Sequence, residues 1–186
     1  MADIEIKGTG LISTRTYVQE RHPERYKEWH NSLPDEIKSF YNGFIDSSEW
    51  YSIERFYLIP LRNIAEMFYG GNEKKAAIEV GRFSAEFALN GVYKVFLINA
   101  NPESLVNSAE RVFMMYHRPV DIEIEKIANN KIRITATRLY HKGEIIDYGM
   151  IGWCSRALEL ANCKNVRFKP ITCPELLKHS VEFSWE

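Results

Sequence analysis

The sequence predicts an α+β fold. Residues 1–118 form a mostly helical part. Residues 119–186 form an antiparallel four-stranded sheet with strand–strand–helix–strand–strand order. Three observations predict this. Apolar residues recur every three or four positions through most of the first part, as in Ala76, Val80, Phe83 and Phe87. After Pro119 the period changes to two: Ile122 and Ile124 alternate with Asp121, Glu123 and Glu125, and Ile132, Ile134 and Ala136 alternate with Lys131, Arg133, Thr135 and Thr137. Finally, the stretch from Gly143 to Phe168 carries two apolar stripes at helical spacing. One is Ile146, Met150, Trp153, Ala157 and Leu160; the other is Ile151, Cys154 and Leu158. A helix apolar on most of its circumference is packed on two sides. Strand-like sequence lies before and after it, so it is read as the helix crossing the sheet.

The remaining elements follow in order. Asp3 to Lys7 alternates apolar and charged residues, as a short strand does. Ser13 or Thr14 is the candidate cap of the next helix, with Tyr17 and Val18 on its inner face. Pro23 opens a helix reaching about His30. Its basic and aromatic residues (Arg21, Arg25, Tyr26, Lys27, Trp29) are offset by Glu20, Glu24 and Glu28, the charge pattern of an ordinary amphipathic helix. Leu33-Pro34-Asp35 starts a short helix that stops at Asn42-Gly43. Residues 47–51 read as a loop before a helix from about Ser52 to Tyr69, which Pro60 either kinks or divides.

Tyr69-Gly70-Gly71-Asn72 is a turn without the spacing of a phosphate-binding loop. Glu73 to Leu89 is a long helix with a small-residue stripe of Ala77, Gly81, Ser84 and Ala88. Tyr93 to Ala100 continues as helix or apolar segment. Pro102 starts another helix with Leu105, Ala109, Val112 and Tyr116 inward. The inward residues of the hairpin all carry even numbers. An odd loop at Ala128-Asn129-Asn130 therefore keeps them on one face, pairing Ile124 with Ile134 and Glu125 with Arg133. Asn165 to Cys173 and Ser180 to Trp185 are the last two strands.

Composition excludes several classes of function. The 186 residues suit one domain, 1–186. The formal net charge of −1, with no block of like charge, leaves no nucleic-acid footprint and no polybasic membrane patch. No apolar run approaches the roughly 20 residues of a membrane span. The N-terminus lacks a basic region followed by an apolar one, so a cytoplasmic location with reduced thiols is expected.

Chemistry-bearing motifs are sparse. Cys154, Cys163 and Cys173 are widely spaced and include no close pair of the kind zinc sites use. No nucleophile elbow or isolated carboxylate pair occurs, so the chain is expected not to be an enzyme. His117-Arg118-Pro119 lies between the helical and sheet parts, where His117 with Arg111 is a candidate anion site or His117 alone a candidate iron ligand, the commoner role of a lone histidine at an element end being a helix-end cap.

The run Glu79-Val80-Gly81-Arg82-Phe83-Ser84-Ala85-Glu86, followed by Asn90-Gly91-Val92-Tyr93-Lys94-Val95-Phe96, resembles a family of bacterial proteins best known from myxobacteria. Gly152-Trp153, Arg156-Ala157-Leu158-Glu159-Leu160, Asn165-Val166-Arg167 and a strand entering Cys173 fit the same family. That family resembles the superfamily of haem NO-binding (H-NOX) domains, 4-vinyl-reductase domains and TRAPP vesicle-tethering subunits. The resemblance implies helices followed by a sheet with a crossing helix. It also sets expectations for cofactors. The Y-x-S-x-R motif of H-NOX proteins is missing, since Trp153-Cys154-Ser155-Arg156-Ala157 has neither the tyrosine nor the spaced arginine. Pro119 follows His117 too closely for the H-NOX pattern, so a haem-free protein is expected. Cys173 resembles the first cysteine of the 4-vinyl-reductase zinc site, but Val181 stands where the second belongs and the acidic ligand falls near Pro170, so no metal is expected. No cysteine aligns with the acylated one of TRAPP subunits.

What the resemblance implies is a non-enzymatic sensory module of bacterial signalling that binds a small hydrophobic ligand. The alternative is a dimerising interaction scaffold like TRAPP subunits, with a homodimer or another protein as partner. The candidate ligand-binding residues are Phe83, Phe87, Arg111, Phe113, Met114, His117 and Trp153, with Met115 as a further wall residue. For each apolar one the alternative is plain core packing.

Overall fold

Strand β1 (Glu5–Lys7) runs directly into helix α1 (Gly8–Arg21) in a computed structural model that describes residues 4–91, 111, 114–137, 144–173 and 178–186. The helix begins six or seven residues earlier than the candidate caps imply, with Lys7 at the cap position. Its first amides are satisfied by a loop instead: Gly8 N and Thr9 N donate to the carbonyls of Glu49 and Ser47 at 3.0 and 3.3 Å. A side chain at Gly8 would collide with the Asp46 carbonyl, its Cβ standing 1.9 Å from the oxygen, so the loop closes on this end only over glycine. Ser13 and Thr14 are therefore interior. Their hydroxyls donate back to the Gly10 carbonyl at 2.8 and 2.9 Å, the usual resort of a hydroxyl inside a helix.

A 3₁₀ turn (Pro23–Arg25) leads to α2 (Tyr26–Ser32) and α3 (Asp35–Asn42). The loop expected at residues 47–51 runs into a strand, β2 (Trp50–Ser52), and the helix expected from about Ser52 starts at Ile53 and continues unbroken to Tyr69, changing from π to α geometry just before Pro60. A π-helical stretch (Glu54–Leu58) precedes α4 (Ile59–Tyr69). Pro60 stands where the π-helical stretch passes into α4, and the Phe56 carbonyl four residues before it, which the proline cannot bond, accepts from the Tyr41 hydroxyl at 2.8 Å. Helix α5 (Glu73–Asn90) is capped by Asn72, whose side chain accepts from Lys75 N at 3.0 Å.

The two-residue strand β3 (His117–Arg118) completes a three-stranded sheet ordered β2-β1-β3, which periodicity did not announce. Ile6 pairs with Tyr51 and His117, while Lys7 pairs with Trp50 and Glu5 with Arg118. Alternation puts Ile6, Tyr51 and His117 on one face. On the other, Lys7 Nζ and the Arg118 guanidinium lie 4.1 and 4.4 Å from the Trp50 ring centre.

The second sheet has four antiparallel strands: β4 (Asp121–Ala128), β5 (Lys131–Thr137), β6 (Arg167–Cys173) and β7 (Lys178–Ser184), in spatial order β4-β5-β7-β6. The hairpin register is the expected one, with Ile124 opposite Ile134 and Glu125 opposite Arg133. Its loop is not. Ala128 pairs with Lys131 across a two-residue Asn129-Asn130 turn, and a bulge at Ile127 absorbs the odd residue. Neither asparagine takes a positive φ. The Asn130 amide instead donates to the Trp185 carbonyl at 2.9 Å, tying the turn to the C-terminal residues.

Helix α6 (Glu144–Leu160) connects the two hairpins. It ends in a Schellman motif, with Asn162 at φ 67°, Cys163 N on the Leu158 carbonyl at 3.1 Å and Asn162 N on the Glu159 carbonyl at 3.0 Å. On the sheet side its Asp147 meets His179 of β7, Oδ2 to Nδ1 at 2.8 Å. On the other side it packs against α5 almost backbone to backbone. A Cβ on Gly152 would lie 2.1 Å from the Ile78 carbonyl oxygen, and one on Gly81 would lie 2.1 Å from that of Gly149. The helix that carries the small-residue stripe is thus the one Gly152 approaches, but Gly152 meets the Ile78 backbone beside that stripe, while Gly81 of the stripe meets Gly149 and Trp153. An ion-pair chain rims this contact: Arg82 holds Glu159 with two bonds of 2.9 and 2.7 Å, and Arg156 bridges Glu159 and Glu86.

Buried residues fall into two cores. One joins the four-stranded sheet to α6 and the C-terminal end of α5 (Leu89, Ile134, Ile151, Leu158, Val181, Phe183). The other lies among the helices (Leu11, Val18, Trp29, Tyr41, Leu61, Ile64, Val80). Cys154 and Cys163 are buried and reduced, and burial pushes both thiols up, Cys163 to about 11. Among the described residues no helix is long and apolar enough to cross a membrane. The segments expected at Tyr93–Ala100 and after Pro102 as far as Glu110 lie outside the described residues.

Candidate functional site

A cavity of about 650 Å³, mouth included, lies where the two cores meet. Much of it is too narrow to admit a water molecule, so it is a slot rather than a chamber. Ile6 of β1, Gly10 of α1, Tyr57 of the π-helical stretch and Ser84 of α5 reach it from the helical part. Val120 and Ile122 reach it from the start of β4, and Ile146, Gly149, Met150 and Trp153 from α6. Tyr116 and His117 enter with β3. Strand pairing places His117: its register opposite Ile6 turns both side chains to the same face.

The lining is largely apolar, with a few polar groups. Tyr116 and Trp153 meet edge to face, ring centres 5.9 Å apart. Ser84 Oγ stands 3.0 Å from Ser13 Oγ. Tyr57 is 9 % exposed, and burial pushes its hydroxyl up to about 12. Burial also pushes the His117 imidazole down to about 4, so it is neutral near pH 7. No hydrogen bond from the described residues reaches the Tyr57 hydroxyl or the His117 ring. Gly149 leaves room for the hydroxyl, since a Cβ there would stand 3.3 Å from Tyr57 Oη. No lysine, arginine, aspartate or glutamate lines the cavity among the described residues.

The structure brings together only two of the residues singled out from sequence, His117 and Trp153. Phe83 belongs to a separate polar groove with Tyr17, Arg21, His22, Tyr69 and Glu79. Phe87 stacks on Phe83 at 6.4 Å and packs against the helical core. Arg111 is exposed and Met114 is 50 % exposed, so neither walls the cavity. The reason is that both lie off the inward face read for this helix, and it is Tyr116, on that face, that reaches the cavity. Met115 is partly buried and absent from the lining. Phe113 lies outside the described residues. Sequence reading missed Tyr57, Ile6, Ser84 and Tyr116 as cavity residues. The signals available were the alternation of Asp3 to Lys7 for Ile6, the inward helix face for Tyr116 and the small-residue stripe for Ser84; Tyr57 had none.

No family model matches the chain, and no curated protein matches it. Solved structures do. An H-NOX protein from S. oneidensis in the Fe(II)NO ligation state has a TM-score of 0.74 and 14 % identity, covering 97 % of this chain and 99 % of that one. The fold is H-NOX-like. An oxygen-binding H-NOX domain related to soluble guanylate cyclases gives 0.71 and 11 %, covering 97 % and 95 %. The unliganded Fe(II) H-NOX protein from K. algicida gives 0.70 and 11 %, covering 97 % of each chain. At such identities the likeness is one of fold, so function has to be argued from the site.

An H-NOX-like fold raises the question of haem. His117 offers a neutral nitrogen of the kind that ligates iron. The other described residues match a haem poorly. Its two carboxylates would meet no cation in the lining, and the slot is too narrow for a porphyrin as it stands. Among the described residues no group of three potential metal ligands gathers anywhere.

Proposed function

We propose that the protein is a non-enzymatic sensory module that holds a small, mostly apolar molecule in the seam between its two cores, without haem or zinc. The observation that carries this reading is the cavity itself. It draws apolar walls from both cores, with Ile6 and Ile146 from one and Val120, Ile122, Met150 and Trp153 from the other. An apolar pocket with a few convergent polar groups is the usual form of a small-molecule site. A molecule lodged in the seam touches both cores at once, so its binding favours one relative position of the two, which is what a sensor requires. Among the described residues the lining carries no charged side chain and no paired nucleophile and base, which supports binding rather than turnover.

Native mass spectrometry of the purified protein, followed by solvent extraction, tests the reading. A retained small apolar molecule, or uptake of one added in its place, is the expected result. A chain that takes up no apolar molecule would sink it, and a Soret band with one haem per chain would replace it with a haem protein.

A further inference from the structure

The Tyr57 hydroxyl and the His117 imidazole face the same cavity and have no hydrogen-bond partner among the described residues. Tyr57 is buried and His117 partly buried, and polar groups at a largely apolar wall usually find a partner, because burial without one costs stability. Several buried tyrosine and histidine groups are satisfied elsewhere, though His22 Nε2 and the Ser155 hydroxyl have no hydrogen-bond partner among the described residues. The Tyr41 hydroxyl donates to the Phe56 carbonyl at 2.8 Å, the hydroxyls of Tyr17 and Tyr69 bond each other, and His30 Nε2 stands 3.2 Å from the Lys38 carbonyl. The two open groups are also complementary. A tyrosine hydroxyl donates one hydrogen and accepts another, and a neutral imidazole has one donor and one acceptor nitrogen.

We propose that Tyr57 and His117 are the polar end of the ligand site, and that the ligand is an uncharged, otherwise apolar molecule carrying one hydroxyl or carbonyl oxygen. The inference rests on the ligand-binding reading above and deepens it. Tyr57 donates to the ligand oxygen. His117 accepts the ligand's hydroxyl hydrogen, or donates a second bond where the oxygen is a carbonyl. The ligand is uncharged because no charged side chain lines the cavity among the described residues, and a carboxylate or ammonium would be desolvated there without a counter-ion. Burial keeps His117 in the neutral form this pairing needs.

Benzyl alcohol and toluene differ by one oxygen and test the proposal by calorimetric titration of the full chain. The parent protein is expected to bind benzyl alcohol at least fivefold more tightly than toluene, and to reject benzoate at pH 7. Tyr57→Phe should abolish that preference, weakening benzyl alcohol at least fivefold while leaving toluene unchanged or tighter. His117→Leu should likewise weaken the alcohol alone. Toluene binding as tightly as the alcohol, or a preference that survives Tyr57→Phe, overturns the inference and leaves the ligand-binding reading standing. Binding of neither probe overturns both. The ligand-free Tyr57→Phe variant adds an independent check. It should melt at or above the parent temperature, since removing an unpartnered hydroxyl costs nothing. A melt several degrees lower would mean that the hydroxyl has a partner in the free protein, and would overturn the assignment.

Discussion

His117 is where a single side chain has the largest consequence for solution behaviour. Its pairing with Ile6 turns it into the cavity, while Arg118 turns to the opposite face and pairs with Glu5. No charged group among the described residues shares its lining, so burial alone sets its protonation. The folded value of about 4 lies below the ordinary 6.5. Between those values the unfolded chain binds the extra proton, so stability falls as pH drops from about 6.5 towards 4 and is unaffected above that window. At about 1.4 kcal/mol per unit the loss reaches at most about 3 kcal/mol. Urea unfolding of the parent and of His117→Leu at pH 7, 5.5 and 4.5 measures it as the difference between the two. A parent and variant that lose stability in parallel would show the imidazole is not held neutral by the fold. Cys154 belongs to the same scale. Burial raises its thiol, so a thiol reagent should modify it only as fast as the protein unfolds.

The contact between α5 and α6 is decided by glycines. Glycine inside a helix costs roughly 1 kcal/mol against alanine, so Gly152→Ala would ordinarily stabilise α6. Here the added methyl would stand 2.1 Å from a backbone oxygen of Ile78, and a backbone cannot swing aside as a side-chain tip does. Overpacking of about 1–3 kcal/mol outweighs the propensity gain. Gly152→Ala and Gly81→Ala should each lower the melting temperature, and leucine at Gly152 should lower it further. An alanine variant that melts higher would mean that the helices separate at no cost. Much at this scale was legible in the sequence. The approach of Gly152 to α5 follows from periodicity, because both helices bury a face on each other, while the Ile78 backbone that it meets lies beside the small-residue stripe. The hairpin register followed from parity for the same reason. The bulge at Ile127 did not, because an odd residue can sit in the loop or in the strand without moving any buried side chain. The strands β2 and β3 were illegible on other grounds. At three and two residues they are too short for a period, and only their pairing with β1 defines them.

The whole molecule is two cores held together by α5 and α6, and the cavity follows from that division. Two separately packed cores meet imperfectly along their seam, and the space left over is lined from both sides. Neither the seam nor the role of Tyr57 shows in the sequence, because residues from β1, the π-helical stretch, β3, β4 and α6 converge there from distant positions. His117 and Trp153 were legible because one stands at the boundary between the two parts and the other on the crossing helix. The same geometry predicts how binding spreads. A ligand that binds only the folded state at a hundred times its dissociation constant adds about 2.7 kcal/mol to stability, some 5–10 °C for a chain of this length. Because its contacts lie on both cores, that stabilisation should be shared between them. Amide hydrogen exchange with benzyl alcohol at saturation should therefore slow in β1, which packs with the helical core, in β3, which pairs with it, and in β4 on the sheet side. Exchange in α2 and α3, whose residues are absent from the lining, should slow less. Protection confined to β4 and α6, or a bound ligand that leaves the melting temperature unmoved, would show that the seam does not couple the cores.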